Sequence, residues 1–290
     1  MDLSGFAEAV GTIDHVAITG LGTRGGAPDG VRCVAAPGGI EWIQADEMTV
    51  ACGAGTAVDE LASALSEVGQ RVVLPEAGTV GGALAHGRSG VRRLGDGPLR
   101  DALLQTRYIG AHGSVVKAGG PTVKNVSGFD VCRLLVGSRG TLGFLGDVIL
   151  RTRPLPATSQ WFTSSNDPRA VLGSIHRPIS VLWDGTTVWV LLEGHPRDVE
   201  TQAERADLVA GDGPPPLPAH RCVVAPAAVA DAVGSLAPGS FVVEVGAGVV
   251  HAPVALPAPE ITEGVARLAA RVKQQFDPAG RLNPGVVVGR

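Results

Sequence analysis

Glycine lets backbone rather than side chain meet a ligand, and this chain concentrates it. Fifteen of its forty-one glycines fall between Pro75 and Gly143. They stand in patterned groups: PEAGTVGGALAHGRSG at 75–90, LGDGPLRD at 94–101 and KNVSGFDVCRLLVGSRGTLG at 124–143, preceded by GLGTRGG at 20–26. Glycine is costly to order and is most useful where a chain turns tightly or approaches a ligand closely. Such loops between apolar strands turn peptide N–H groups toward an anion such as a pyrophosphate, so this region is expected to wrap a large cofactor. Other chemistry-bearing residues are sparse. Glu244 and His251 sit in VEVGAGVVHA at 243–252. His251 is either a satisfied sheet histidine or a general base, and Glu244 carries the same two readings. Arg281 is either a bidentate partner for a carboxylate or a tail arginine. Asn283, in LNPG, suits a turn before Pro284.

Composition narrows the field. The 290 residues are 44% hydrophobic and 18% charged, which describes a globular chain long enough for two lobes. A formal net charge of −4 gives no basic footprint, so nucleic acid is not expected as the primary partner. Cys33, Cys52, Cys132 and Cys222 are scattered, with no CxxC or Cys/His grouping. That spacing excludes an iron–sulfur or zinc site of the usual kind, so no metal is expected. Reduced thiols fit a cytoplasmic setting. No leader-like segment opens the chain and no apolar run is long enough to span a bilayer, which leaves peripheral membrane association through partners open.

The elements that must position these residues follow from periodicity. HVAIT at 15–19 reads as a strand running into the first glycine loop. Residues 48–52 form another strand, and Thr56 then caps a helix with Val58, Leu61, Leu65 and Val68 on one face, closed by Gly69. Strands are expected at 71–74, 104–109, 114–117 and 144–152, with a short helix at 129–136. Pro154 and Pro156 mark a boundary. Beyond it, strands at 160–164, 179–184, 187–193, 220–224, 240–245 and 248–252 alternate with helices at 167–175, 196–209, 226–235 and 258–276, the pattern of an α+β lobe with an antiparallel sheet. GLGTRG at 20–25 matches GxGxxG formally. The prolines and glycines that follow are poor helix material, so the dinucleotide motif lacks its context.

Taken in order, the GxGT loop, ACGAGT before a helix, PEAGTVGGALA, GPLRD and KNVSGFD…RLLVGSRGTLG resemble the FAD-binding domain of the vanillyl-alcohol-oxidase type, in particular FAD-binding subunits of bacterial glycolate oxidase. FDPAGRLNPG at the end is similar to the C-terminal signature of FAD-linked 2-hydroxy-acid oxidases. The resemblance implies an α+β fold: a two-part FAD-binding domain over 1–156, a cap with an antiparallel sheet over 157–270, and a tail over 271–290 returning to the flavin. It places Gly20, Gly22 and Thr23 at the pyrophosphate. Pro75, Gly78, Thr79, Gly81 and Gly82, continued by Ser89 and Gly90, line the pyrophosphate and flavin side, with Asp101 beside the flavin loops. Gly137, Gly140 and Leu142 fall near the ribityl and adenosine portion, with Val148 under the adenine and Asn283 near the flavin. Lys124 and Asn125 open a loop packed under the cofactor.

Two departures shape the expectation. GLGTRGG holds no histidine for a covalent link, and none is known at His86, so FAD is expected to be noncovalent. The related catalytic subunits carry an H-x-H metal pattern where this chain has only His251. The resemblance implies the FAD subunit of a glycolate or other 2-hydroxy-acid dehydrogenase; in the functional one of its two readings, His251 takes the hydroxyl proton as hydride leaves. Electrons would pass to an iron–sulfur subunit, with a second flavin subunit as a further partner. An electron-transfer or assembly subunit without substrate chemistry, or a non-enzymatic scaffold, stands beside that reading.

Overall fold

The computed structural model describes residues 1–23, 25–26, 29–121, 130–257 and 260–286; Lys124 and Asn125 lie outside them. A short helix α1 (Ser4–Val10) is followed by β1 (Val16–Thr19) and β2 (Arg32–Ala35), which pair in parallel. Among the described residues no helix stands between β1 and β2. Next come β3 (Ile40–Gln44), β4 (Thr49–Gly53), α2 (Val58–Glu67), β5 (Gln70–Val72) and α3 (Val80–His86). After a one-turn helix α4 (Arg93–Asp96) the chain runs through β6 (Leu103–Ile109), β7 (Val115–Gly119), α5 (Val131–Leu135) and β8 (Phe144–Pro154).

Strands β3, β4, β8, β6 and β7 lie in that order in an antiparallel sheet, and β5 joins the far end of β8. Every residue of β4 is buried, and α2 sets Val58, Leu61 and Leu65 into the same core as Val50, Cys52, Val148 and Leu150. Thr56 does not cap α2. Its hydroxyl donates back to the carbonyls of Gly53 (2.7 Å) and Gly39 (3.2 Å), and the cap position falls to Ala57. Thr79 does cap α3, its Oγ1 accepting the Gly82 N–H at 3.1 Å, and Gly87 ends that helix in the left-handed region at φ 65°.

The remaining elements are β9 (Thr158–Ser164), α6 (Pro168–Ser174), β10 (Ser180–Trp183), β11 (Val188–Gly194), α7 (Pro196–Arg205), β12 (Val209–Ala210), β13 (His220–Val223), α8 (Val229–Val233), β14 (Val242–Glu244), β15 (Val249–Ala252) and α9 (Glu263–Phe276). The seven strands form one antiparallel sheet in the order β12-β9-β11-β10-β14-β15-β13. One face carries Phe162, Val181, Val188, Val190 and Leu192 against α6 and α7.

The chain divides into two units: Met1–Ser89, Pro98–Leu155 and Ile261–Arg290 in the first, Gly90–Gly97 and Pro156–Glu260 in the second. This differs from the sequence-based division in two places. The segment 90–97 is held by the second unit: Arg92 pairs with Asp96 (2.9 Å) and Glu193 (2.6 Å), and the Gly95 N–H bonds the Ile179 carbonyl at 3.1 Å. All of α9 groups with the first unit, because Val272 and Phe276 pack on its core and Lys273 Nζ bonds the Thr141 carbonyl at 2.8 Å.

Candidate functional site

The first unit contains a cavity of about 220 Å³. Its walls come from the loop after β1, the turn after β4, both ends of α3, residues 135–145 and the tail at 283–286. Nine of its 25 described lining residues are glycine, and no Asp or Glu is among them. The glycines work in two ways. Gly22 (φ 72°) and Gly25 (φ 105°) turn the first loop in the left-handed region, and a Cβ on either would stand in open space. Gly81 is the opposite case: a Cβ there would lie 2.8 Å from Ala54 Cβ and 2.9 Å from its carbonyl oxygen. Backbone thus approaches backbone around a space bordered by hydroxyls of Thr19, Thr23, Thr79 and Ser138, with Arg139 and His86 as its titratable lining residues. A wall of peptide groups and hydroxyls without carboxylates is one that a dianionic pyrophosphate fits.

Of the residues expected at the cofactor, Gly20, Gly22, Thr23, Thr79, Gly81, Gly82 and Gly140 line this cavity, as does Asn283. The others stand elsewhere. Pro75 lies in the loop after β5. The Gly78 carbonyl accepts the Val58 N–H, and Ser89 Oγ accepts the Leu99 N–H. Gly90 belongs to the second unit. Asp101 is exposed and pairs with Arg133 at 3.4 Å. Gly137 bonds the Leu84 carbonyl, while Leu142 and Val148 are buried in the core under the sheet. Gly55, Ser138, Arg139 and Gly143 line the cavity without having been singled out. Gly55 and Gly143 stood inside motifs that were read; nothing local marks Arg139.

The tail positions this site. Leu282 bridges Val16 in parallel, the Val16 N–H bonds the Arg281 carbonyl, and the Asn283 N–H bonds the Val16 carbonyl. The Asn283 side chain then ties two walls together: Oδ1 accepts the Ile18 N–H at 2.9 Å and Nδ2 donates to the Arg139 carbonyl at 2.6 Å. Arg281 is 2% exposed. Its three nitrogens donate to the backbone carbonyls of Asp14, Ala111 and Val10 at 2.7–3.1 Å, and burial draws its guanidinium below the ordinary arginine value. Below it, buried Asp277 accepts from Lys273 Nζ and from the Arg281 and Leu282 N–H groups. Burial alone would raise that carboxyl; these hydrogen bonds outweigh it and hold the group below the usual aspartate value.

The second unit has a polar cluster of its own. Val242 pairs with His251 and Glu244 with Val249 across β14 and β15, which puts Glu244 and His251 on one side of the sheet. His251 Nε2 and Glu244 Oε1 are 2.8 Å apart. Leu182 pairs with Glu244, so Ser180, two residues along β10, shares that side. Ser180, Glu244 and His251 are 0%, 3% and 7% exposed. Glu244 Oε2 and Ser180 Oγ are buried without a hydrogen-bond partner among the described residues, a costly state that a bound molecule or water would relieve. Among the described residues no group of three or more His, Cys, Asp or Glu could hold a metal ion.

Comparison with known proteins turns the cavity into an identification. Residues 29–119 match the family model described as an FAD binding domain. The chain carries an FAD binding domain. It is 33% identical over 172 residues to glycolate oxidase subunit GlcE of Escherichia coli (strain K12), a match covering 54% of this chain and 49% of that one. D-lactate dehydrogenase of Archaeoglobus fulgidus is 36% identical over 117 residues, 39% of this chain and 26% of the relative. Glycolate oxidase subunit GlcD of Bacillus subtilis (strain 168) is 37% identical over 82 residues, 28% and 17%. These matches span about half the length of the first relative and less of the others. Among solved structures, alkyldihydroxyacetonephosphate synthase superposes with a TM-score of 0.65 at 13% identity, covering 94% of this chain and 72% of that one. The fold is therefore the α+β fold of the vanillyl-alcohol-oxidase type, and the cofactor is FAD. The FAD-binding chain is similar in sequence to glycolate oxidase subunits and a D-lactate dehydrogenase.

Proposed function

We propose that this chain is the FAD subunit of a dehydrogenase that oxidises the CH–OH group of a small 2-hydroxy acid, and that FAD is held noncovalently in the glycine-lined cavity. The observation that carries the reading is that cavity, whose described lining combines glycines, hydroxyls and apolar side chains without a carboxylate. The substrate class rests on the names of the relatives, glycolate oxidase and D-lactate dehydrogenase.

When bound, FAD supplies an acceptor for two electrons. Gly20, Gly22, Thr23, Thr79, Gly81, Gly82 and Gly140 hold it, and Asn283 keeps the walls in register. In this reading the Glu244–His251 pair takes the hydroxyl proton as the substrate becomes a 2-oxo acid. Arg281 serves the fold, because its nitrogens are committed to backbone carbonyls. The scattered cysteines provide no cluster ligands, so an iron–sulfur partner accepts the electrons, and a second flavin subunit fits relatives that are themselves named as subunits. Acid precipitation of purified protein should release free FAD. Glycolate or D-lactate should then bleach the flavin, or drive dye reduction once partners are added.

One observation favours a second reading, an electron-transfer or assembly subunit without its own substrate. The described residues offer no metal cluster, and the sheet of the second unit has a single buried histidine. Flavin that no 2-hydroxy acid bleaches, with or without partners, would decide for that reading.

A further inference from the structure

Five non-glycine residues take a left-handed backbone among the described residues: Met48, Arg139, Arg177, Asp207 and Asn283. Two of them, Arg139 (φ 51°) and Asn283 (φ 45°), line the same cavity and are hydrogen-bonded to each other. Arg139 is fixed from both sides of its peptide: its N–H donates to the Ala85 carbonyl at 2.7 Å and its carbonyl accepts from Asn283 Nδ2. At such a position glycine carries no steric cost, whereas a side chain does, and strain of this kind persists where surrounding structure over-determines it. The neighbouring residue, Gly140 (φ 71°), has no room for a side chain, since its Cβ would meet Asn283 Nδ2 at 2.6 Å. Glycine is thus kept where space demands it, and an arginine stands next door where conformation alone would prefer glycine. Among the described lining residues none is a carboxylate, and Arg139 is the permanently charged one.

We propose that Arg139 is the cation that selects the anionic part of FAD in this cavity, held in a strained backbone for that purpose. The inference rests on the assignment of the cavity to FAD and adds a charge to a wall of peptide groups, hydroxyls and apolar side chains.

Flavin fluorescence titration of the apoprotein at low and high salt, paired with thermal melts, tests it. In R139G the charge is gone and the backbone relaxed. This variant should melt no lower than the wild-type apoprotein while binding FAD on the order of 10- to 100-fold more weakly, with a salt dependence much flatter than wild type. R139K keeps the charge and should retain most of the salt response, as should H86Q, which removes the other titratable lining residue. R139G that binds FAD as tightly as wild type overturns the proposal, and so does a salt response lost in H86Q but kept in R139G. A wild-type protein that binds no FAD overturns instead the assignment of the cavity beneath it.

Discussion

The two units make their candidate sites from opposite materials. In the first, peptide backbone does the work: glycines supply over a third of the cavity lining, and the side chains that border it are mostly hydroxyls and alkyl groups. In the second, three buried side chains on one side of a sheet, Ser180, Glu244 and His251, form the polar cluster, and two of their atoms lack partners among the described residues. A site walled by backbone is damaged by adding atoms; one built of side chains is damaged by removing them. That contrast sets what each unit tolerates, and mutation can test it from both directions.

The largest effect is expected from adding atoms to the first unit. G81V places a Cβ 2.8 Å from Ala54 Cβ and 2.9 Å from its carbonyl oxygen, in a wall with nowhere to retreat. Flavin content should fall below about a tenth of wild type, with about 1–3 kcal/mol of stability lost to overpacking. The ratio of flavin to protein absorbance and a thermal melt report the two effects separately. A G81V protein that keeps its flavin would mean that the ligand does not need this wall.

Removing atoms from the second unit should give the converse signature. H251Q takes away the proton acceptor and keeps a polar side chain of similar reach beside Glu244. Dye reduction driven by 2-hydroxy acid should drop about 100-fold, the usual scale for loss of a general base, while flavin content stays at the wild-type value. If flavin is lost together with turnover, the pair serves folding rather than proton transfer.

What could be read from sequence follows the same division. The apolar strands and the buried face of α2 were legible because burial writes a period into the residues, as Val58, Leu61 and Leu65 show. β2 was not, since only Val34 of its four residues is buried. α1 gave no signal either: two buried residues, Phe6 and Val10, and no capping side chain. α3 lies inside the glycine segment, and its VGGALAH sequence is poor helix material that Thr79 and surrounding contacts hold in place. The glycine loops announced a cofactor through composition, yet only half of the residues assigned to it line the cavity. Leu142 and Val148 support the loops from the core instead. The bond from Lys273 to the Thr141 carbonyl and the ties of Asn283 depend on three-dimensional closure of the tail, which no local pattern encodes.

That closure gives the next prediction. D277N leaves three donors around an amide in place of a fully buried carboxylate, and should cost about 2–3 kcal/mol in denaturant unfolding. The pH dependence has a definite sign. The folded-state value of Asp277 lies below its ordinary one, so its contribution is complete above the unfolded value of about 3.9 and is lost as pH falls through the folded value. The gap between wild type and D277N should therefore be constant near neutrality and shrink below about pH 4. A gap that widens in acid would show that the carboxyl is neutral in the native protein.

The smallest effect concerns the clasp between tail and cavity, and it isolates strain from hydrogen bonding. N283A and N283G remove the same two side-chain bonds, to the Ile18 N–H and the Arg139 carbonyl. Alanine keeps a Cβ at φ 45°, whereas glycine relaxes there. The lost bonds should cost either variant about 1–2 kcal/mol. N283G should nevertheless be the more stable by roughly 1 kcal/mol, because relief of the left-handed backbone exceeds the entropy glycine adds to the unfolded chain. Equal stability would mean that the tail adjusts its backbone once the side chain is gone, and the walls of the cavity would then be held by the Val16 pairing alone. A higher melting temperature for N283G together with weakened FAD binding would show that the first unit also spends conformational strain on its ligand through a side chain, which narrows its difference from the second.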